Sequence, residues 1–387
     1  MDIPVLIFWS GISILLYTYG GYHAILCIIS RVFPSHGIAR PTSSYWPQVD
    51  MLIAAYNEEK VIRSKIENCL NLDYPAEKLT VWIASDGSSD GTNEIVKEYM
   101  KHNSRIRLLE FTRSGKSGVI NKALPQLEAD ITVFSDANTE YDPGAVQRMV
   151  VHFADPNVGC VCGKLIYRNP GEVVSGKGES FYWKYETALK KMESKIGYVA
   201  GANGAIYAIR RSLFEALPPN TINDDFTISM RIVEKGFKSL FEENAIAYED
   251  VAPSMESEFK RHVRDGAGHY IAIGHLLGLL NPLLGARSLI YWSHRILRWT
   301  APFILILVFI MNIFLIGNIF YGILFYAQIV FYALALIGLI TVKKNKSLFI
   351  IMYIPFYFCN LNTALLYGFV RAISGAQKTM WESTARS

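Results

Sequence analysis

Three groups of carboxylates fall in the central, charge-bearing part of the chain. They are Asp86 in Ser85-Asp86-Gly87-Ser88, Asp136 in Ser135-Asp136-Ala137-Asn138, and the pair Asp224-Asp225 in Asn223-Asp224-Asp225-Phe226. Acids in such turns suit two tasks together: holding a divalent cation on a diphosphate, and taking a proton from an acceptor hydroxyl. Asp136 and Asn138 present two oxygen side chains at i and i+2, which suits Mg2+ or Mn2+. Asp224-Asp225 precede the helical run from Phe226 to Lys235. One acid serves as a cap and dipole partner; a second invites a chemical role.

Two better-known motifs are excluded. Asp86 to Gly91 begins like a calcium loop, but the twelfth position is Lys97 and a strand-like run precedes it. Gly115-Lys116-Ser117 ends like a nucleotide-binding P-loop, but Glu110 occupies the place of its first glycine. Lys116 still offers a point charge to a diphosphate.

The elements that carry these residues alternate. Met51-Leu52-Ile53-Ala54, Val81-Trp82-Ile83-Ala84 and Ile131-Thr132-Val133-Phe134 read as strands; the turn Tyr56-Asn57-Glu58-Glu59 leads into a helix through about Leu70, and Asp90-Gly91-Thr92 starts another that runs to about Lys101. That order predicts an α/β, doubly wound sheet, in which ligands bind at the carboxyl ends of the strands. Asp86 and Asp136 both end strands. Cys160-Val161-Cys162 lies in an alternating stretch and reads as a reduced, buried pair; the five cysteines form neither a zinc spacing nor a disulfide framework.

Of the 387 residues 51% are apolar, and the excess sits at the two ends. Ile3 to Ser30 contains no Asp, Glu, Lys or Arg; as a helix it would extend about 42 Å, enough to cross a bilayer. Asp2 and the length of the run argue against a cleaved signal peptide, and Arg31 and Arg40 place the following domain in the cytoplasm. Thr300 to Val342 predicts two spans broken near Gly317-Asn318, with Lys343-Lys344-Asn345-Lys346 as a cytoplasmic hinge. Ser347 to Phe369 reads either as a fourth span, which is slightly preferred, or as a re-entrant or interfacial helix, given Pro355, Asn360 and Asn362. The four-span reading puts the C-terminus outside, whereas Arg371, Lys378 and Arg386 favour the inside. The expected organisation is 1–31 transmembrane, 45–255 catalytic, 256–298 interfacial, 299–372 transmembrane, and 373–387 a polar tail. In the interfacial part Trp292 and Trp299, among Arg287, His294, Arg295 and Arg298, read as headgroup-level anchors. The net charge of +4 comes without a basic, aromatic-interleaved stripe, so nucleic acid is not an expected partner.

Taken in order, Ala55-Tyr56-Asn57-Glu58-Glu59, Ser85 to Thr92, Lys116 to Leu124, Ser135 to Asn138, Gly201-Ala202-Asn203-Gly204, Asp224-Asp225 and Lys260 to Arg264 resemble the family 2 glycosyltransferases. The likeness is to the membrane-bound, cellulose-synthase-like branch that includes hyaluronan, chitin and poly-N-acetylglucosamine synthases. It implies a GT-A (Rossmann-like) fold in the plasma membrane and inverting transfer from a nucleoside-diphosphate sugar, a UDP-sugar above all. It also implies the roles of residues. Ala55, Tyr56, Asn57, Glu58, Asp86, Lys116, Asn121 and Asp136 would bind the nucleotide sugar, and Asp136 and Asn138 would hold Mg2+ or Mn2+. Asp225 would be the general base, with Asp224 and Arg264 completing the catalytic set. Gly201, Ala202, Asn203, Gly204 and Arg261 would meet a glycan or lipid-linked acceptor.

One departure bears on the product. Processive relatives carry Gln-x-x-Arg-Trp, whereas this chain reads Arg261-His262-Val263-Arg264-Asp265. The arginine is kept and the sugar-stacking tryptophan is replaced by Asp265. The expected activity is synthesis of a cell-surface or extracellular polysaccharide. The alternative is transfer of a single sugar to a polyprenyl phosphate or other lipid, and a silent nucleotide-binding subunit is the third reading. An oligomer or accessory export proteins stay open as partners.

Overall fold

In the computed structural model, residues 2–32, 45–168, 174–250, 255–343, 350–377 and 379–380 are described. Arg40, Lys344-Asn345-Lys346, Lys378 and Arg386, which carried part of the topology argument, lie outside them.

Eight strands form one sheet: β1 (Val49–Ala55), β2 (Leu79–Asp86), β3 (Ile106–Phe111), β4 (Ile131–Asp136), β5 (Glu140–Tyr141), β6 (Val158–Arg168), β7 (Ile206–Arg210) and β8 (Lys238–Asp250). Their order is β3-β2-β1-β4-β7-β6-β8-β5. The first four are parallel, and β1 pairs with β2 on one side and β4 on the other. The chain thus reverses its winding between β1 and β4, the place where open α/β sheets bind ligands. Asp86 and Asp136 end the two strands that flank β1.

Both faces of the sheet are covered, which explains the unbroken apolar strands. Met51 and Ile53 pack beneath the helices Glu59–Leu70 and Ala145–Val150, while Leu52 and Ala54 face Val119, Ile120, Ile228 and Ile232. Cys160 and Cys162 are buried and unpaired, as their alternation suggested. The parallel arrangement is interrupted by β7, which runs antiparallel to both β4 and β6, while β6 and β8 pair parallel beyond it. The helix that joins β6 to β7, Val174–Ile196, does not cross over the sheet: its Leu189 packs on Tyr22 and Leu26 of the first apolar helix.

Among the described residues, Ile3–Val32, Ala286–Leu315 and Ile319–Val342 are helices long and apolar enough to cross a membrane. The break expected near Gly317-Asn318 falls between the last two. The fourth expected span is the helix Ile350–Ile373, which is not one of these three. Residues 286–298, expected to lie in the interface, are instead the opening turns of the second long helix. Trp292 is 39% exposed, as an anchor would be, but Trp299 is 2% exposed and stacks on His269 at 4.5 Å. His294 and Arg295 are buried as well. Phe226, Met230, Leu276, Tyr291 and Trp299 form a core that joins the sheet domain to this helix.

The helix Met255–His275 lies against Ile350–Ile373 through small residues. A Cβ on Gly368 would stand 2.7 Å from the backbone nitrogen of Ala267 and 2.7 Å from the carbonyl carbon of Gly266. Backbone cannot swing aside as a side chain can, so Gly368→Ala should cost about 1–3 kcal/mol. Thermal unfolding of the purified protein in detergent should show a lowered Tm; an unchanged Tm would mean that the two helices are not in contact here.

Candidate active site

The strand β2 ends in Asp86, whose side chain is fully buried. Its carboxylate accepts hydrogen bonds from the backbone N–H of Ser114 at 2.6 Å and of Gly115 at 2.9 Å, and pairs with Arg113 at 2.7 Å. Asp86 therefore organises the 113–115 loop. The Arg113 guanidinium lies 3.2 Å from the ring centre of Tyr56, a cation–π contact that fixes the far side of the same pocket wall. Ala55 is buried at the end of β1. Asn57, in the left-handed region at φ 53°, accepts from the Ser89 N–H and donates its own N–H to Ser88. Glu58 donates its N–H to Thr92. Asp90 makes an Asx turn, accepting from the N–H of Thr92 at 3.1 Å.

Gly115 adopts φ 81°, and an added Cβ would lie 3.1 Å from the carbonyl oxygen of Thr379. The described end of the polar tail thus crosses this loop, a contact that composition alone could not suggest. Immediately after Gly115 the helix Lys116–Ala123 begins, and its first side chain points into the carboxylate cluster. Lys116 Nζ is 2.8 Å from Asp136 Oδ1 and 3.7 Å from Asp224 Oδ2. Asp224 and Asp225 open the helix Asp224–Glu234, where the helix dipole favours negative charge.

The electrostatics follow from crowding. Burial raises the Asp224 carboxyl above its ordinary range; Lys116 opposes the rise, Asp136 adds to it and Arg264 resists it. Burial, and then the charge of Asp224, push the Asp225 carboxyl up to about 6, with Lys116 again in opposition. Burial works against a charge on Lys116, yet Asp136 and Asp224 outweigh it and raise its pKa. Asp136 is the partly open member, its side chain 29% exposed. Asp224 Oδ2 is buried and makes no hydrogen bond among the described residues.

On the other side of Asp225 lies the Gly201–Gly204 loop. Gly201 adopts φ 97°, and a Cβ there would stand 2.5 Å from the Phe226 ring. A Cβ on Gly204 would stand 3.2 Å from Asp225 Oδ2, so the absence of a side chain is what leaves that oxygen approachable. Ala202 donates its N–H to Ser229 at 2.9 Å, and Asn203 accepts from the N–H of Ala205 at 3.2 Å. Arg264 lies 3.8 Å from Asp265, and Arg261 reaches the Tyr167 hydroxyl at 3.5 Å. The helix that bears both arginines is fixed to the site by Asn223, which donates to the Asp265 carbonyl at 3.0 Å and covers Gly268.

Two expected ligands are otherwise engaged. Both ends of the Asn121 amide are taken by the Leu217 backbone at 2.8 Å, so Asn121 braces its helix. Asn138 donates to Glu249 at 2.7 Å, which leaves its oxygen as the end that a cation would take. A residue that sequence reasoning missed is Lys65. It is 2% exposed and donates to Ser135 Oγ at 2.7 Å and to the Thr139 carbonyl at 2.6 Å, bracing the turn that carries Asp136 and Asn138 from behind. A lysine on a helix facing the sheet was the only sequence signal for it.

Comparison with known proteins agrees with this arrangement. Residues 50–217 match the family described as Glycosyl transferase family 2. The chain is 29% identical over 234 residues to the beta-monoglucosyldiacylglycerol synthase of Trichormus variabilis, covering 59% of this chain and 49% of that protein. It is 26% identical over 224 residues to the poly-beta-1,6-N-acetyl-D-glucosamine synthase of Staphylococcus aureus, covering 57% and 54%. The chain therefore spans about half the length of these curated relatives. The mannosyltransferase PcManGT from Pyrobaculum calidifontis, solved with GDP-Man and Mn2+, superposes with a TM-score of 0.70 at 20% identity, covering 95% of this chain and 99% of that one. At that identity the likeness speaks to fold, and the fold is GT-A.

Replacing Asp86 tests the loop. Asp86→Ala would leave the Ser114 and Gly115 amides and Arg113 without their acceptor, at about 1–3 kcal/mol for each buried group left unpaired. Hydrogen exchange at Ser114 and Gly115 should accelerate at least about tenfold. Unchanged exchange would show that the loop is held by something else.

Proposed function

Residues 50–217 form a glycosyl transferase family 2 domain, and from that premise we propose that the protein is an inverting, membrane-bound glycosyltransferase. In this reading it takes a sugar from a nucleoside diphosphate, a UDP-sugar above all, and passes it to a lipid acceptor at the cytoplasmic face of the membrane. The observation that carries the reading is Asp225. Among the described residues it is the carboxylate that combines a pKa near 6, a half-buried position and an approach kept open by Gly204. A general base works best with a pKa near the operating pH.

The proton of the acceptor hydroxyl passes to the Asp225 carboxylate as the acceptor oxygen forms its bond to the anomeric carbon. The bond from that carbon to the diphosphate oxygen breaks on the opposite face, and the nucleoside diphosphate leaves with the electron pair. Lys116 and Arg264 bring positive charge toward the leaving group. The 113–115 loop and Tyr56 supply the wall against which the nucleotide lies. Asp224 keeps the Asp225 pKa high, and Lys116 keeps it from rising further.

The residues fit a divalent cation of the Mg2+ or Mn2+ kind. Among the described residues no three His, Cys, Asp or Glu side chains converge to cage one. Asp136, partly exposed, and the Asn138 oxygen are the protein ligands on offer, and diphosphate and water would complete the set, as magnesium prefers. When bound, the cation supplies the charge that neutralises the departing diphosphate.

Support for a lipid acceptor comes from Asp265, which stands where a stacking tryptophan would hold a growing chain, and from the similarity to a glucosyldiacylglycerol synthase. Similarity to a poly-N-acetylglucosamine synthase favours the second reading, a cell-surface polysaccharide. The two differ in the product: one lipid-linked species, or size-heterogeneous chains.

With UDP- and GDP-sugars offered to the protein in lipid, Asp225→Asn should lower turnover by about 10²–10⁴-fold while nucleotide binding persists. Because the base must be ionised, the wild-type rate should fall as pH drops through about 6 and level off above it. Near-normal transfer by Asp225→Asn, or a rate that rises on acidification, would reject the assignment. Chelation with EDTA should stop transfer, and Mg2+ or Mn2+ should restore it; turnover that continues with no metal left in the sample would remove the cation from the scheme.

A further inference from the structure

Ala200 immediately precedes the Gly201–Gly204 loop, and charged side chains grip its backbone at both ends. Its N–H donates to Glu193 Oε2 at 3.0 Å. Its carbonyl accepts from Arg295 Nε at 2.7 Å and from Nη2 of the same guanidinium. Glu193 belongs to the helix that joins β6 to β7, and Arg295 to the second long apolar helix. Neither is in the reacting cluster, and both are at least nine-tenths buried.

Behind the two grips lies a closed ionic network. Glu193 Oε1 accepts from the Tyr22 hydroxyl at 2.8 Å and faces His294 Nδ1 at 2.6 Å. His294 Nε2 faces Glu186 at 3.1 Å, and Glu186 also pairs with Arg295 at 2.8 Å and Arg298 at 3.0 Å. Despite burial, Arg295 and His294 hold the Glu186 carboxyl well below its usual range. Apolar residues of the same volume would hold these helices together at least as well, since buried ion pairs recover little beyond their desolvation. What charged groups add is direction: the fork of Arg295 fixes where the Ala200 carbonyl points.

We propose that Glu193 and Arg295 are positioning residues for the acceptor loop. Through Tyr22 and His294 they tie the placement of that loop over Asp225 to the first and second long apolar helices. The loop is otherwise lightly held. Gly201 is in a conformation that glycine adopts freely; the other anchors of the segment include the Val199 N–H to Ser239, the Ala202 N–H to Ser229 and, at its far end, the Tyr141 hydroxyl to the Ala205 carbonyl. The inference rests on the proposed function for its catalytic consequence, but the placement of the loop can be measured without it.

The test uses the full chain in phospholipid nanodiscs, as wild type, Tyr22→Phe and Arg295→Lys. Tyr22→Phe removes a single hydroxyl, and Arg295→Lys keeps the charge but loses the fork. Hydrogen exchange of a peptide covering residues 199–205 should accelerate at least about threefold in Tyr22→Phe and about tenfold in Arg295→Lys, with the 113–115 loop unchanged. In parallel, UDP- and GDP-sugars are assayed both for transfer to diacylglycerol and for hydrolysis by water. Arg295→Lys should lower transfer at least about tenfold while donor KM and hydrolysis stay within about twofold. Unaltered exchange at 199–205 in both variants overturns the positioning role, whatever the activity. Transfer and hydrolysis falling together also overturns it, because a general loss of structure would then suffice. A wild type that consumes no nucleotide sugar but shows the loosened loop contradicts the proposed function and leaves the positioning role standing.

Discussion

Three carboxylates are crowded into one desolvated edge of the sheet, and a single lysine makes that tolerable. Asp136, Asp224 and Asp225 come from a strand end and a helix start nearly ninety residues apart, and the charge of Asp136 adds to the burial that raises the Asp224 and Asp225 carboxyls. Lys116, 2.8 Å from Asp136, is the shared counter-charge. Its own place depends on Gly115, whose positive φ turns the loop, and on Asp86, which holds that loop by two amides and Arg113. The cluster is thus consistent only as a whole. Loss of the lysine would leave buried charge without a partner, which is why so much of the surrounding hydrogen bonding serves to place it.

A second constraint comes from the apolar helices. Phe226, one residue beyond the proposed base, packs into a core with Tyr291 and Trp299. Burial pushes the pKa of His269, stacked on Trp299, down to about 4, so the joint is closed by a neutral ring. The helix that carries Arg261 and Arg264 is wedged between the site and Ile350–Ile373 by glycines on both sides. The sheet domain and the apolar helices therefore share side chains at the proposed acceptor edge, whereas the proposed donor edge is built from the sheet, its loops and the described end of the tail. That division matches the proposed chemistry, in which a soluble donor meets an acceptor that arrives from the bilayer.

Much of this was legible in the sequence, because strand ends are marked by local pattern. The β1, β2 and β4 runs, the helices beginning near Glu59 and Thr92, the buried cysteines and the break between the last long apolar helices all follow from periodicity and turn residues. The acid stations were found for the same reason. What stayed hidden depends on partners far along the chain. Asn121 looked like a donor ligand until Leu217 took both ends of its amide. His294, Arg295 and Trp299 read as surface anchors because basic and aromatic residues at the edge of an apolar run usually are; Glu186 and Glu193, a hundred residues earlier, draw the first two inside. The reversed strand β7 was equally invisible, since nothing local in it records its direction.

Stereochemistry bears most directly on the central claim that Asp225 acts as a base for in-line displacement. The purified protein in lipid would be given a nucleotide sugar carrying ¹³C at the anomeric carbon, and the configuration of the first product read from its one-bond carbon–proton coupling by NMR. Inversion relative to the donor is the expected result, because a single displacement with the base on the far side from the diphosphate permits nothing else. Retention would contradict it, since a double displacement would make a carboxylate in the place of Asp225 the nucleophile at the anomeric carbon and not the base for the acceptor hydroxyl.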